Sequence, residues 1–340
     1  MTSPSQPDTG LTYDQALAAV VAAEAGQSSD SEVSTVTAAL ALAVIAAREN
    51  AGQWAANLIL PIWRDTDVYD GAAVQQFTEQ AGDYMAAAQT AVAETASAAQ
   101  TQILATMGID APFTPSDPVN VRGTAEFATD GTISVTRDTA SVAYGDGGRQ
   151  VVDLDEDAST VGIFNRPART QRYLESKGVG SEQARAEAEL RMLGLVDGNL
   201  MLAQRLAEAE ILAKAAGVDK RVIGLRRVIH PELSRTGTCG LCIAASDRIY
   251  KVTELMPIHN RCKCTQAAVT REFDPADVLN TVDLKQLYTD AGGTTSGAAL
   301  KRTRYKVDEH GELGPQLVPS KPYKPRKPQK TTRRRAAARI

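Results

Sequence analysis

The chain of 340 residues is expected to adopt an α+β fold that is predominantly helical. Three observations point there. Hydrophobic residues make up 43% but aromatics only 5%, so much of the apolar content is alanine, which favours helix and buries little area per residue. Short alternating runs separated by turn dipeptides are confined to one stretch, about residues 119–164. All four cysteines fall in one window, Cys239 to Cys264, and the first 229 residues hold neither cysteine nor histidine. The expected organisation is Ala-rich N-terminal helices, a small β-rich insertion, a C-terminal Cys/His module and a basic tail.

The helical N-terminal region covers residues 1–115. Its first ten residues read as unstructured, and helix is expected from Leu11 to about Thr106. Breaks are expected at "GQSSDS" near Gly26 and at "LILPIWRDTD" around Pro61. From Val68 to Met107 there is no proline and there are two glycines. Val74, Ala81 and Ala88 recur every seven residues, as do Phe77, Tyr84 and Ala91. Such a stripe serves either an internal antiparallel bundle or a surface for partner subunits. "GIDAPFTPSDP" reads as a linker by its prolines.

A β-rich subdomain is expected over 116–166. "TAEFATDGTISVT" predicts a hairpin about Asp130-Gly131, and "VAYGDGGRQVVDL" repeats the pattern. A helical segment follows over 167–218. One helix should end at Gly178, Ser181 should cap a second, and a third should span Gly198 to Ala216. In that third helix Leu200, Leu202, Leu206, Ile211 and Leu212 form the apolar stripe, and its acids and bases read as a solvated face. Residues 219–318 form the Cys/His module. "RVIGLRRVIHPEL" reads as a strand, "DPADVLN" and "TVDLKQLYTDAGG" as short helices, and Arg304 to Val318 as a hairpin turning at His310-Gly311.

Residues 319–340 are a Pro/Lys/Arg-rich, flexible tail. Lys321, Lys324, Arg326, Lys327, Lys330, Arg333, Arg334, Arg335 and Arg339 supply nine positive charges with no acid among them. The rest of the chain holds 28 basic against 41 acidic residues. Pro319, Pro322, Pro325 and Pro328 recur every third residue, the polyproline II period. Fully extended, this tail would reach roughly 65 Å. Such a split suits an acidic body with a tail for polyanions, and the tail residues are candidate contacts to nucleic acid. No membrane role is expected: the longest apolar run, Val36 to Ala47, is too short to span a bilayer. The N-terminus lacks a secretory pattern, so a reducing cytosol is the expected site of synthesis.

The cysteine window reads Cys239-x2-Cys242, then His259-x2-Cys262-x-Cys264. A Cys-x2-Cys turn lets two thiolates meet one metal, and Gly240 within it eases the backbone geometry. Thiolate and imidazole are the donors that tetrahedral Zn²⁺ prefers. Five candidates for four positions leave one spare: Cys239, Cys242, His259, Cys262 and Cys264. A filled site would be structural, with no position left for a bound water. Reduced cysteines packed in a small core, a disulfide or redox pair, and a catalytic zinc are the competing readings. His230, just before Pro231, reads as a hydrogen-bonding core residue before it reads as a ligand, and His310 as a solvated turn residue.

"RVIHPELSRTGTCGLCIAASDRIYKVTELMPIHNRCKC" resembles the Mu F-like head morphogenesis, or minor capsid, proteins of tailed bacteriophages, in particular those infecting actinobacteria. The shared pattern is the Cys-x2-Cys arm with a Pro-x-His-x2-Cys-x-Cys closing segment, here Cys239, Cys242, Pro257, His259, Cys262 and Cys264. It covers about Arg221 to Thr265; "NRPARTQRYLESKGVGSEQA" and "DEHGELGP" match more loosely. The resemblance implies a minor capsid protein of the virion interior, assembled in the host cytoplasm at the portal vertex. It would assist capsid assembly and DNA packaging. The portal protein is the implied partner, with the major capsid or scaffolding protein and genomic DNA as further contacts.

No enzyme is expected. Relatives fused to a capsid maturation protease exist, but a Ser-His-Asp or Cys-His centre needs a histidine or cysteine, and the first 229 residues have neither. Lys177 is the first lysine, so a wholly N-terminal Ser–Lys dyad lies out of reach too. No H-E-x-x-H motif occurs. Asp153, Asp155 and Glu156 read as a solvated acidic loop. The other functional reading is a nucleic-acid-binding zinc protein, with Arg226, Arg227, Arg261, Lys263 and the tail on one basic face.

Overall fold

The computed structural model describes residues 29–111, 121–122, 124–127, 133–136, 140–143, 149–152, 159–233, 237–251, 262–274, 280, 283–310 and 314–320. The expected helix before residue 29, the prolines of the linker, residues 275–279 of "DPADVLN", the acidic loop, Arg261, His259 and the tail from 321 lie outside them. The chain divides into two units, Met1–Ile229 with Ser246–Thr281, and His230–Ala245 with Val282–Ile340. The fold is α+β and predominantly helical, as the composition predicts.

The first unit is built on three long helices. α1 spans Ser29–Asp65 and α2 spans Gly71–Thr106. Pro61 does not break α1 as expected; it sits inside the helix. It lies on an exposed face, where water can serve the carbonyl that proline leaves unbonded. The break comes instead at 66–70, where Asp70 caps α2 by accepting from Ala72 N at 2.9 Å and Ala73 N at 3.4 Å. Two antiparallel hairpins follow, β1 (Thr124–Phe127) with β2 (Ile133–Thr136), and β3 (Ala140–Ala143) with β4 (Arg149–Val152). The Phe127↔Ile133 pairing places Asp130-Gly131 in the first connection.

After a 3₁₀ turn at Gly162–Phe164 comes α3 (Asn165–Ser176), which ends before Gly178 in the left-handed region at φ +82°. α4 is then one continuous helix, Ser181–Val218, rather than two. Gly180 holds the cap position and Ser181 is already helical. Each interior glycine costs a helix about 1 kcal/mol, but Met192, Leu195, Val196 and Leu200 on either side are buried and hold α4 through Gly194 and Gly198.

Trp63, Phe77, Ala81, Met85, Phe164, Met192 and Leu200 share one core. The Trp63 and Phe77 rings meet at a tilt of 55°, 5.3 Å between centres. Val74, Ala81, Ala88 and Phe77 thus pack inside the chain. Tyr84 is half-buried, edge-on to Trp54, and Ala91 is exposed; a strict seven-residue spacing drifts around a 3.6-residue helix. A second core joins Leu104, Ile211 and Leu212 to a three-stranded antiparallel sheet ordered β7-β5-β8. Its strands are β5 (Val222–Val228), β7 (Ile249–Tyr250) and β8 (Thr265–Thr270). Ile109 and Ala111, expected in a linker, belong to this core. No described helix is long and apolar enough to cross a membrane.

The second unit holds a three-stranded antiparallel sheet in the order β10-β9-β6, from β6 (Thr238–Cys239), β9 (Arg304–His310) and β10 (Gly314–Pro319). Around it are α5 (Gly240–Ser246), α6 (Leu284–Asp290) and α7 (Gly297–Arg302). Leu287, Leu300 and Tyr305 are its larger buried side chains. The Tyr305 hydroxyl donates to Asp290 Oδ2 at 2.5 Å.

Candidate metal centre

The Cys-x2-Cys arm is fixed by strand pairing and two close glycines. β6 pairs with β9 at Thr238↔Tyr305 and Cys239↔Arg304, so Cys239 ends a strand and Cys242 lies in the first turn of α5. Gly237 has φ +79°, and a Cβ there would stand 2.4 Å from the Tyr305 carbonyl oxygen. At Gly240 a Cβ would meet Leu287 Cδ1 at 2.8 Å and the Leu300 oxygen at 3.0 Å. Gly240 is therefore required by close packing, where the sequence suggested backbone freedom. The Cys242 N–H points to Cys239 Sγ at 3.4 Å, and the two sulfurs are 3.2 Å apart. A disulfide needs about 2.05 Å, so these are thiols.

Cys262 and Cys264 lead into β8, which is buried along its whole length. Arg48 from α1 reaches the same segment. Its Nη2 donates to the Cys262 carbonyl at 3.0 Å and its Nη1 to Gln204 Oε1 at 2.6 Å. Burial lowers the pKa of this guanidinium, against the raising influence of Asp197, Cys262 and Glu208. Lys263, between the two cysteines, pairs with Glu49.

The Sγ atoms of Cys242, Cys262 and Cys264 all lie within 4.8 Å of one another, and each residue is buried. Four thiolates at about 2.3 Å from a tetrahedral ion lie about 3.8 Å apart, so this spacing needs small side-chain adjustment to close on one metal. Cys239 Sγ lies 3.2 Å from Cys242 Sγ but is not part of this group of three. All four cysteines are 2–3% exposed. Three buried cysteines thus stand close enough to hold a metal ion. His259 lies outside the described residues. His230 is buried at 5% exposure, in keeping with a core histidine.

The basic face drawn from sequence does not form as expected. Arg226 and Arg227 are 8% and 4% exposed. Arg226 is ion-paired with Asp274 and donates through Nε to the Ser246 carbonyl at 2.8 Å. Neither guanidinium is presented to a polyanion. The acids and bases of α4 are likewise not a solvated face: Arg205, Glu208 and Glu210 are 1–3% exposed. A sequence signal for this existed. Leu200, Gln204, Glu208 and Ile211 follow the i, i+4, i+8, i+11 spacing of one stripe, so polar groups occupy core positions.

No family model, curated protein or solved structure matches the chain.

Proposed function

We propose that this chain is a phage minor capsid, or head morphogenesis, protein that acts at the portal vertex and holds a structural Zn²⁺ through its cysteine window. The observation that carries the proposal is the closeness of Cys242, Cys262 and Cys264 within a segment whose full pattern resembles the Mu F-like proteins. Buried soft donors with Cys239 beside them favour a closed tetrahedral ion over one that activates water. Zinc would then fasten the Cys-x2-Cys arm to the closing arm, a role that requires no reaction and fits a chain proposed as non-enzymatic.

An alanine-rich helical body with an acidic charge suits a component that lies among other head proteins. The nine cationic residues from Lys321 to Arg339 suit contact with packaged DNA, through phosphates and without sequence preference. That charge split is also what favours the second reading, a nucleic-acid-binding zinc protein acting apart from any capsid. With Arg226 and Arg227 buried, that reading rests on the tail.

Co-expression with the portal protein of the same phage, without other head components, separates the two. Co-elution as a defined complex is the expected outcome. A chain that emerges alone while retaining nucleic acid shifts the assignment to the second reading.

A further inference from the structure

The helical unit encloses a group of polar side chains that the proposed role does not use. Glu208 on α4, Gln100 on α2 and Gln266 on β8 are 1%, 3% and 6% exposed. Glu208 Oε1 accepts from Gln204 Nε2 at 2.7 Å, and Gln100 Nε2 donates to the Gln266 carbonyl at 2.6 Å. Three oxygens are left over. Glu208 Oε2, Gln100 Oε1 and Gln266 Oε1 are buried and have no hydrogen-bond partner among the described residues. All three side chains line the same small cavity of about 10 Å³, together with Leu40, Val44, Ile103, Thr265 and Thr37, whose hydroxyl donates to the Val33 carbonyl at 2.7 Å.

Buried polar atoms without partners are rare because each retains its desolvation cost. About 10 Å³ is the least room a single water requires, and such a water needs two to four polar partners. Three unpartnered oxygens belong to its lining side chains, all of them acceptors when Glu208 is ionised. A water has two hydrogens and serves two of them. The third is satisfied when Glu208 Oε2 carries a proton and donates to the water oxygen, while the water donates to Gln100 Oε1 and Gln266 Oε1. One water and one proton therefore satisfy every oxygen.

We propose that this cavity is a binding site for a single water molecule, held between a neutral Glu208 and the side-chain carbonyls of Gln100 and Gln266. The charged groups facing Glu208 are Arg205 on its own helix, Arg48 on α1 and Arg227 on β5. All three favour the carboxylate, as does the hydrogen bond from Gln204, yet burial outweighs them and raises the pKa to about 7. The same three guanidiniums repel a metal cation. Because the folded value lies above the ordinary 4.5, the stabilisation is fully present below about pH 4.5 and is lost as pH rises through about 7.

The test is thermal unfolding of the full chain and of Glu208→Gln between pH 5 and pH 8.5. The amide keeps a donor where the neutral acid has its O–H, so the two midpoints should coincide at pH 5. At pH 8.5 the variant should melt higher by roughly 5 °C. A variant less stable at both pH values makes the carboxylate a counter-ion to the arginines and overturns the proposal. A high-resolution crystal structure of the wild-type chain gives an independent reading. One water within hydrogen-bond distance of all three oxygens supports the site. An empty cavity overturns it, as does a midpoint that climbs with sodium at constant ionic strength.

Discussion

The two units of the chain are held together by different means. In the first, three helices of 36 to 38 residues bury Trp63, Phe77, Phe164 and Met192 in continuous cores. In the second, a three-stranded sheet and helices of six or seven residues bury few large side chains, among them Leu287, Leu300 and Tyr305. Burial of apolar area scales with the amount of chain available. A unit of the second kind gains most from a cross-link or a metal. Of the four cysteines, Cys239 and Cys242 belong to that second unit, while Cys262 and Cys264 belong to the first.

The largest expected effect comes from attacking the metal ligands. Wild-type protein purified without chelator should release one zinc per chain on denaturation, and Cys242→Ser should release none. In zinc peptides the apparent binding energy is on the order of 10–16 kcal/mol. Hydrogen exchange in the variant should show β6 and α6 deprotected while the far-UV helical signal persists. Absence of zinc from the wild type, with its thiols intact, would return the cysteines to the role of small core residues. Loss of the helical signal together with the zinc would break the contrast between the units.

Trp63→Ala probes the helical core directly. The ring is fully buried, packs at a tilt against Phe77 and lies 5.8 Å from the Arg185 guanidinium. Its removal should cost about 3–5 kcal/mol in urea unfolding, with Trp54 left as the fluorescent reporter, and should leave zinc content unchanged. The smallest effect is expected at the start of α2. Asp70→Ala removes an acceptor for two helix N–H groups and should lower stability by about 1 kcal/mol. The urea midpoint should fall without a change in slope.

Several elements were legible in advance because their causes are local. The antiparallel pairings of β1 with β2 and of β9 with β10 follow from alternating runs on either side of a turn dipeptide, and the helix end at Gly178 follows from glycine conformation. The closeness of Cys242, Cys262 and Cys264 was readable from their spacing as ligands. Where expectation failed, tertiary burial overrode a local preference. Gly194 and Gly198 suggested a helix break, yet buried residues on both sides carry α4 through. Pro61 suggested another and was tolerated on an exposed face. Arg226 and Arg227 were assigned to a surface because cations usually are, but Asp274 neutralises one and β5 is buried.

Composition and pattern alone thus determined that the chain is mostly helix, that its soft donors share one window, and that its positive charge gathers at residues 321–339. These properties depend on residue type and spacing, which a linear chain displays. Only the tertiary structure decided that Arg48, Gln204 and Glu208 are internal and that polar side chains from α2, α4 and β8 line one cavity. Those facts depend on which distant segments meet. No local preference encodes the desolvation that raises the Glu208 pKa or leaves its Oε2 without a partner.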